Sequence, residues 1–216
     1  MPIVSRGFAG RRRQPGVGLL PQGQYIVDDF PVLTAGPTPH TSLDDWDFTI
    51  VDETGSQVAR WTWPQFRALP AEGITVDIHC VTKWSKLGTD WTGVFVDELL
   101  DGIETSAAYV AAFSDGDYTT NLSLADVLDG QAWVAFGYNG ADLEAEHGGP
   151  ARLLVPHLYF WKSAKWVRGL RATERGRARF LGSARIPHIR RPLAGTALLG
   201  GLSGAMARDH GRRDRP

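Results

Sequence analysis

Apolar and polar positions alternate over several short segments of the chain, and other segments are short β-branched apolar runs. Both patterns are typical of β-strands. The predicted strands are Trp46–Asp52, Val58–Trp61, Ile74–Cys80, Tyr109–Phe113, Gln131–Tyr138, Leu153–Val155 and Lys165–Leu170. Glu53–Ser56 predicts a turn that joins the first two strands into a hairpin, and Asn139-Gly140 is a strong hairpin signal after the fifth. The chain is therefore predicted to consist mainly of short strands.

Three short helical segments lie between these strands. Thr62 is a suitable N-cap for a helix that ends at Pro70. A second helix starts over Val96–Leu100, and Ser123–Leu128 is predicted as a third, with Ser123 as its cap. Because the helices are short and are scattered among the strands, we predict a single domain of the mixed α+β class.

Charge is distributed unevenly along the 216 residues, although the net charge is only −1. From residue 171 to the end there are eleven arginines and no lysine against three acidic residues, whereas residues 1–170 hold twelve basic and twenty-one acidic residues. All eight tryptophans precede residue 170. We therefore predict an extended N-terminal arm over 1–33, a folded domain over 34–171 and a basic, disordered tail over 172–216.

Composition also restricts the class of protein. The chain has no apolar run of the roughly 18 residues that a membrane span needs, and its N-terminus lacks the apolar core of a secretory signal. The single cysteine, Cys80, has no internal disulfide partner, which favours a reducing, cytoplasmic location. The acidic excess over residues 1–170 argues against nucleic acid as a partner, because phosphate polymers bind to positive surfaces. A small anionic ligand is more consistent with these features.

Cys80 follows a predicted buried strand, in the segment His-Cys-Val-Thr-Lys-Trp-Ser. The residue type allows three interpretations: an inert core cysteine, a nucleophile, or a ligand for a soft metal. A nearby Lys83 or Lys86 favours the thiolate that the last two need, because a neighbouring cation lowers the thiol pKa. As a nucleophile, Cys80 would use His79 or His157 as its base, and the protein would be a cysteine hydrolase or transferase.

A second candidate segment is Glu-His-Gly-Gly-Pro-Ala-Arg, in which the glycines and the proline impose an irregular loop with His147 and Arg152 at its ends. An arginine that enters a buried strand needs an anionic partner, either a phosphate-type ligand or a structural carboxylate. Further along, Lys162 and Lys165 flank Ser163 and Ala164, whose small side chains allow a ligand to approach the backbone closely.

Taken in order, His-Cys before a polar loop, His-Gly-Gly-Pro-Ala-Arg before Leu-Val-Pro, and Ser-Ala-Lys-Trp resemble the molybdopterin-binding domain of the sulfite oxidase family. The likeness is greatest to small bacterial members that consist of little more than this domain, and it spans about Leu20 to Arg171. The resemblance implies the mixed-sheet fold of that domain and a molybdenum–molybdopterin cofactor. It also implies oxygen-atom transfer or two-electron redox chemistry on a small sulfite- or sulfoxide-like substrate.

The resemblance also implies roles for individual residues. Cys80 matches the cysteine that binds molybdenum, and Tyr118 matches a tyrosine close to the metal. The residues that match cofactor contacts are Ser114, His147, Arg152, Ser163, Ala164 and Lys165.

One departure from the family concerns the substrate. Sulfite oxidases carry an arginine shortly after the metal cysteine, where this chain has Lys83 and Trp84. Lys83 replaces that arginine only as a point charge, which puts sulfite itself in doubt. The sequence also shows no haem-binding stretch and no cysteine cluster, so a separate electron-transfer partner is expected.

The second departure is the tail. Small relatives continue with Tyr-Gly-Asp-Pro-Trp-Arg-Glu-Gln-Arg-Tyr-Trp, and a GC-rich coding of that stretch, read after dropping two bases, gives residues Arg190–Leu199 of this chain. The hypothesis is a frameshift between about Arg171 and Arg179, which would leave a catalytically impaired member without its usual C-terminal segment. The alternative is a genuine basic tail that binds nucleic acid or acidic lipid.

Overall fold

The computed structural model describes residues 20–34 and 36–174, which form two β-sheets with few helices. The first sheet follows the order β1-β5-β8-β10, with β4 paired to β5 and β9 paired to β8. Its strands are β1 (Tyr25–Ile26), β4 (Glu72–His79), β5 (Trp84–Phe95), β8 (Trp133–Tyr138), β9 (Ala141–Asp142) and β10 (Arg152–Leu154). The β1–β5 pair is parallel and the other pairs are antiparallel.

The second sheet follows the order β3-β2-β11-β6-β7. Its strands are β2 (Asp47–Val51), β3 (Gln57–Thr62), β6 (Tyr109–Ser114), β7 (Thr119–Ser123) and β11 (Val167–Thr173). The last strand of the described chain, β11, lies at the centre of the sheet, parallel to β2 and antiparallel to β6. The sheet therefore pairs the last described strand with β2, which precedes it by more than a hundred residues.

Within the described residues, two short helices and four single 3₁₀ turns connect the strands. The helices are α1 (Trp63–Arg67) and α2 (Val96–Leu100), and the 3₁₀ turns are Asp115–Asp117, Leu124–Asp126, Ala145–His147 and Phe160–Lys162. Gln65 Oε1 accepts a hydrogen bond of 2.9 Å from the backbone amide of Thr62, which satisfies a donor at the start of α1.

The main hydrophobic cluster contains residues of both sheets, with Val94, Val134 and Leu153 from the first and Phe48 and Leu170 from the second. A second cluster lies around Cys80 and is rich in aromatic side chains. The candidate functional residues of the sequence therefore lie beside an aromatic part of the core.

The predicted mixed-sheet α+β class is confirmed, and each of the seven predicted strands overlaps an observed one. The segment Ser123–Leu128 forms a 3₁₀ turn rather than a longer helix, although Ser123 caps it as predicted. Strands β1, β5, β7 and β9 were absent from the prediction.

The predicted arm and tail boundaries differ from the described structure at both ends. Residues 20–33, within the predicted arm, include β1 and pack against the domain. Strand β11 continues to Thr173, past the predicted boundary at 171. The rest of the arm, residues 1–19, and the tail from 175 lie outside the described residues, so disorder and the frameshift stay predictions. In the described part, no helix is long and apolar enough to cross a membrane.

Candidate cofactor site

Cys80 lies in a tight turn at the end of β4. The turn is closed by a hydrogen bond from the Lys83 amide to the Cys80 carbonyl, 2.9 Å, and by one from the Cys80 amide to the Trp84 carbonyl, 2.8 Å. Lys83 has φ of 76°, which is uncommon for a residue with a side chain. The turn thus fixes the cysteine at the junction of β4 and β5 and leaves Lys83 exposed beside it.

The Cys80 thiol is buried, with 5% of its surface exposed, and burial raises its pKa. Opposing influences are the Thr82 hydroxyl, which donates to Sγ over 3.0 Å, the backbone amides of Val81 and Thr82, and the charge of Arg152. Several donors and one cation are therefore directed at a sulfur that the solvent barely reaches. This environment suits a sulfur that carries electron density to a bound metal.

Arg152 opens β10 and is 1% exposed. Its Nη1 and Nη2 donate to the carbonyls of His147 (2.5 Å) and Ser163 (2.8 Å), and the guanidinium lies 4.1 Å from the ring centroid of Phe160. No carboxylate forms an ion pair with it among the described residues, so the structural-carboxylate alternative receives no support. A buried cation without a counter-charge indicates a place for an anion.

Two further basic side chains, His147 and Lys165, lie within the electrostatic reach of Arg152. Burial, together with the charges of Lys165 and Arg152, lowers the pKa of His147 to about 4. Burial and Arg152 lower the pKa of Lys165 to about 7, and burial lowers that of Arg152 to about 9. The charge of Arg152 thus disfavours the charged forms of both His147 and Lys165, as expected where cations lie close together in a partly buried site.

Three polar atoms at these positions are buried and have no hydrogen-bond partner among the described residues: Nδ1 of His147, Nε of Arg152 and Oγ of Ser114. Buried donors are normally satisfied, so these atoms point to a polar ligand. Molybdopterin ends in a phosphate and carries a polar pterin, and the residues present therefore fit it. The family resemblance in the sequence had already implied that all three residues contact the cofactor.

The other predicted contacts are placed differently from one another. Ser163 Oγ accepts from the Val155 amide over 3.0 Å, so its side chain supports β10 and leaves mainly backbone for a ligand. Ala164 is buried, and its carbonyl accepts from the Leu153 amide. Lys165 Nζ donates to the Leu33 carbonyl over 2.9 Å. Its amine also lies close enough to Arg152 to interact with it electrostatically.

Tyr118 lies in the same electrostatic environment as Cys80 and Arg152. Its hydroxyl donates to the Trp161 carbonyl over 2.6 Å, and burial raises its pKa to about 12. The phenol therefore keeps its proton at neutral pH. Ser114 is held beside it by a hydrogen bond from its amide to the Tyr118 carbonyl, 3.1 Å.

The N-terminal segment 24–33 contributes contacts that the sequence analysis missed. Gln24 Nε2 donates to the Cys80 carbonyl over 2.9 Å, and Phe30 stacks on the His147 ring at 4.0 Å with an interplanar angle of 8°. The Leu33 carbonyl also accepts a hydrogen bond from Lys165. This one segment therefore contacts three candidate residues: Cys80, His147 and Lys165. Two apolar runs, Tyr25–Val27 and Phe30–Leu33, were the signals in a stretch that otherwise resembles an extended arm.

The histidines proposed as bases for a nucleophilic Cys80 are engaged elsewhere. The Nδ1 atom of His79 pairs with Ser85 Oγ at 2.8 Å, and Nε2 of His157 faces Asp126 Oδ1 at 3.4 Å. The raised pKa of Cys80 also disfavours a free thiolate. The geometry around Cys80 therefore does not support the alternative of a cysteine hydrolase or transferase.

The comparisons with known proteins agree with this geometry. The family described as oxidoreductase molybdopterin binding domain matches residues 35–181, beyond the predicted domain end at 171. The chain belongs to this family. It is thus a molybdopterin-dependent oxidoreductase, and the predicted cofactor and enzyme class are confirmed.

Individual relatives extend the comparison. The chain is 35% identical to the uncharacterized oxidoreductase YuiH of Bacillus subtilis over 77% of its own length and 85% of that protein. It is 33% identical to a protein named as a protein-methionine-sulfoxide reductase subunit, YedZ1 of Azospira oryzae, over 52% of this chain and 44% of that one. The sulfane dehydrogenase SoxCD of Paracoccus pantotrophus shares the fold, with a TM-score of 0.57 and 20% identity over 64% of this chain and 41% of its own.

Gly149 is expected to be essential for the loop that carries His147. A Cβ atom at this position would lie 1.9 Å from the Leu143 carbonyl oxygen, which is backbone and has no freedom to rotate away. We expect Gly149→Ala to destabilise the fold by about 1–3 kcal/mol and to lower cofactor content. Thermal melts and pterin fluorescence would measure both effects. Gly73→Ala is the matched control, since a Cβ there meets no atom within 4 Å. Equal melting temperatures for the two variants would contradict the prediction.

The pKa of Lys165 predicts a pH dependence of the cofactor-free protein. Folding lowers this pKa from 10.5 to about 7, so above pH 7 the unfolded chain binds a proton that the folded chain does not. The free energy of unfolding should therefore rise between about pH 7 and about pH 8, below the pKa of about 8.5 at which an ordinary thiol titrates. Urea titrations at both pH values would show the rise, and Lys165→Met should reduce it. A rise of the same size in Lys165→Met would contradict the assignment to this amine.

Proposed function

We propose that this protein carries out oxygen-atom transfer, with its two-electron redox step, on a small sulfite- or sulfoxide-like substrate. The observation that carries the proposal is the buried guanidinium of Arg152, which has no carboxylate partner among the described residues and interacts electrostatically with Cys80, His147 and Lys165. The relative named as a methionine-sulfoxide reductase subunit supports the sulfur substrate class.

In this proposal, Cys80 Sγ is the protein ligand of molybdenum. Arg152, His147 and Lys165 hold the anionic parts of the cofactor, and Ser114 Oγ supplies a further hydrogen bond. When bound, the molybdenum–pterin group supplies the exchange of an oxygen atom and two electrons. No cluster of three or more His, Cys, Asp or Glu side chains forms a metal site in the described part of the chain, and the proposal needs only Cys80 from the protein.

The remaining residues act on substrate and solvent. Tyr118 keeps its phenol proton, which it donates to the Trp161 carbonyl, within the electrostatic reach of Arg152. The exposed ammonium group of Lys83 lies beside the Cys80 turn, where it attracts an anionic substrate. The aromatic side chains around Cys80, among them Trp84, Trp91 and Phe160, exclude water from the sulfur.

Two further proposals concern the cellular setting. A separate electron-transfer partner is proposed because the sequence shows no second redox motif and one relative is named as a subunit. A cytoplasmic location is proposed from the single cysteine, and fractionation of the native host cells would test it.

The experiment that tests the function is expression together with the cofactor biosynthetic machinery, followed by molybdenum and pterin analysis. Two assays then follow: oxidation of sulfite with an artificial electron acceptor, and reduction of a methyl sulfoxide with an artificial donor. We expect bound molybdenum and pterin, with turnover in at least one assay. Protein that folds well in the presence of cofactor yet holds no molybdenum would contradict the proposal.

Lys83 is expected to discriminate between these substrates. Lys83→Met should raise KM for anionic sulfite by about three- to tenfold, with less effect at high salt, and should leave KM for a neutral sulfoxide unchanged. Lys86→Met is the control, because Lys86 Nζ is held by the Asp28 carbonyl at 2.6 Å. An equal effect of the two variants would show that only the general charge of the surface matters.

A further inference from the structure

The Thr82 side chain contacts the candidate metal ligand directly. Thr82 lies inside the turn that begins at Cys80, and its Oγ1 donates a hydrogen bond to Sγ over 3.0 Å. The turn is fixed at both ends by backbone hydrogen bonds to the Cys80 amide and carbonyl. The hydroxyl therefore has a defined position relative to the sulfur, independent of any ligand.

The hydroxyl belongs to an exposed residue, Thr82, whereas the sulfur that accepts its hydrogen bond is buried. Cys80 is part of a cluster that contains aromatic residues such as Trp84, and it lies within the electrostatic reach of Arg152. A metal-bound thiolate retains lone pairs, and a hydrogen bond to an ionised acceptor is stronger than one to a neutral thiol. The Thr82 contact is thus expected to persist and to strengthen when Cys80 binds a metal.

We infer that Thr82 is a positioning residue that tunes the redox potential of the metal centre through its hydrogen bond to Cys80 Sγ. This inference rests on the proposed role of Cys80 as the metal ligand. A hydrogen bond withdraws electron density from the sulfur, which reduces donation to the metal and stabilises the more electron-rich, reduced state. The midpoint potential is therefore higher with the hydroxyl than without it.

The test uses the cofactor-loaded protein and three substitutions. Thr82→Val keeps the branched shape and removes the donor, whereas Thr82→Ser keeps the donor and removes the methyl group. Thr75→Val is the matched control on β4, where the hydroxyl contacts the exposed carboxylate of Asp90 at 2.7 Å. The measurements are the midpoint potential by redox titration and the sulfur-to-metal charge-transfer absorption.

We expect Thr82→Val to raise the ratio of oxidised to reduced centre at a fixed solution potential by about three- to tenfold. Tenfold corresponds to about 30 mV for a two-electron couple. Thr82→Ser and Thr75→Val should keep the wild-type potential and the wild-type charge-transfer band, whereas the band should shift in Thr82→Val. Thr82→Ala, which also lacks the donor, should reproduce the shift and serves if the valine variant does not load cofactor.

Two results would overturn the inference: a wild-type potential in both donor-free variants, or a serine variant with a potential as low as that of the valine variant. Cys80→Ser separates this failure from a failure of the proposed function. If Cys80→Ser leaves the charge-transfer band intact, Cys80 is not the metal ligand and the proposal itself falls. If it removes the band while the Thr82 variants remain unshifted, only the role of Thr82 is wrong.

Discussion

Cys80→Ser should abolish redox turnover and leave most of the pterin bound. A serine hydroxyl stays protonated near neutral pH and is a hard donor, so it is a poor substitute for the soft thiolate that molybdenum requires. The contacts assigned to the pterin come from other residues, mainly His147, Arg152 and Lys165, which this substitution does not touch. Serine also leaves the backbone hydrogen bonds of the turn intact.

The measurement is turnover per bound pterin with an artificial electron donor or acceptor, alongside molybdenum analysis and pterin fluorescence. Thr75→Val provides a β4 control far from the sulfur contacts. Wild-type turnover of Cys80→Ser at matched cofactor content would defeat the assignment of Cys80. Complete loss of the pterin would instead show that metal ligation is required to retain the cofactor.

The sequence predicted seven of the eleven described strands and missed four, of which the longest, β5, has an interrupted pattern. Strand β5 contains Lys86, Gly88 and Gly93, which break its apolar alternation. Gly93 is required there because a Cβ would lie 2.7 Å from the Val134 carbonyl oxygen on the neighbouring strand β8. A glycine that permits close packing is indistinguishable, in sequence, from a glycine that ends a strand.

The functional site likewise contains residues that the sequence identifies and residues that it does not. Arg152 was identifiable because a charged residue at the start of an apolar run needs an anionic partner. The involvement of Gln24 was not identifiable, because its contact with Cys80 joins residues 56 apart in the chain. Ser163 shows a third case: the motif marked the position, but only the structure reveals that its hydroxyl is used by the Val155 amide.

Arg152→Met should lower the cofactor content of the protein more than it lowers turnover per bound cofactor. The substitution keeps the approximate volume of the side chain but removes a buried cation. The anionic cofactor then loses a charge-assisted partner, typically about 1.5–3 kcal/mol, and its affinity should fall by about ten- to more than a hundredfold. The carbonyls of His147 and Ser163 also lose the donors that connect their two segments, so the loop around the cofactor loosens.

The cofactor-free protein should respond differently from the loaded one. Without an anion, Arg152 is a desolvated cation whose pKa is lowered to about 9, so its removal should cost the cofactor-free fold less than it costs the loaded fold. Melting temperatures of both forms, with pterin content after dialysis, would separate the two effects. Arg67→Met is the control, since Arg67 pairs with the exposed Asp142 at 3.0 Å. If Arg152→Met retains cofactor as well as Arg67→Met does, Arg152 serves the protein core and not the cofactor. A larger loss in the loaded form than in the cofactor-free form would identify Arg152 as the counter-charge of a bound anion.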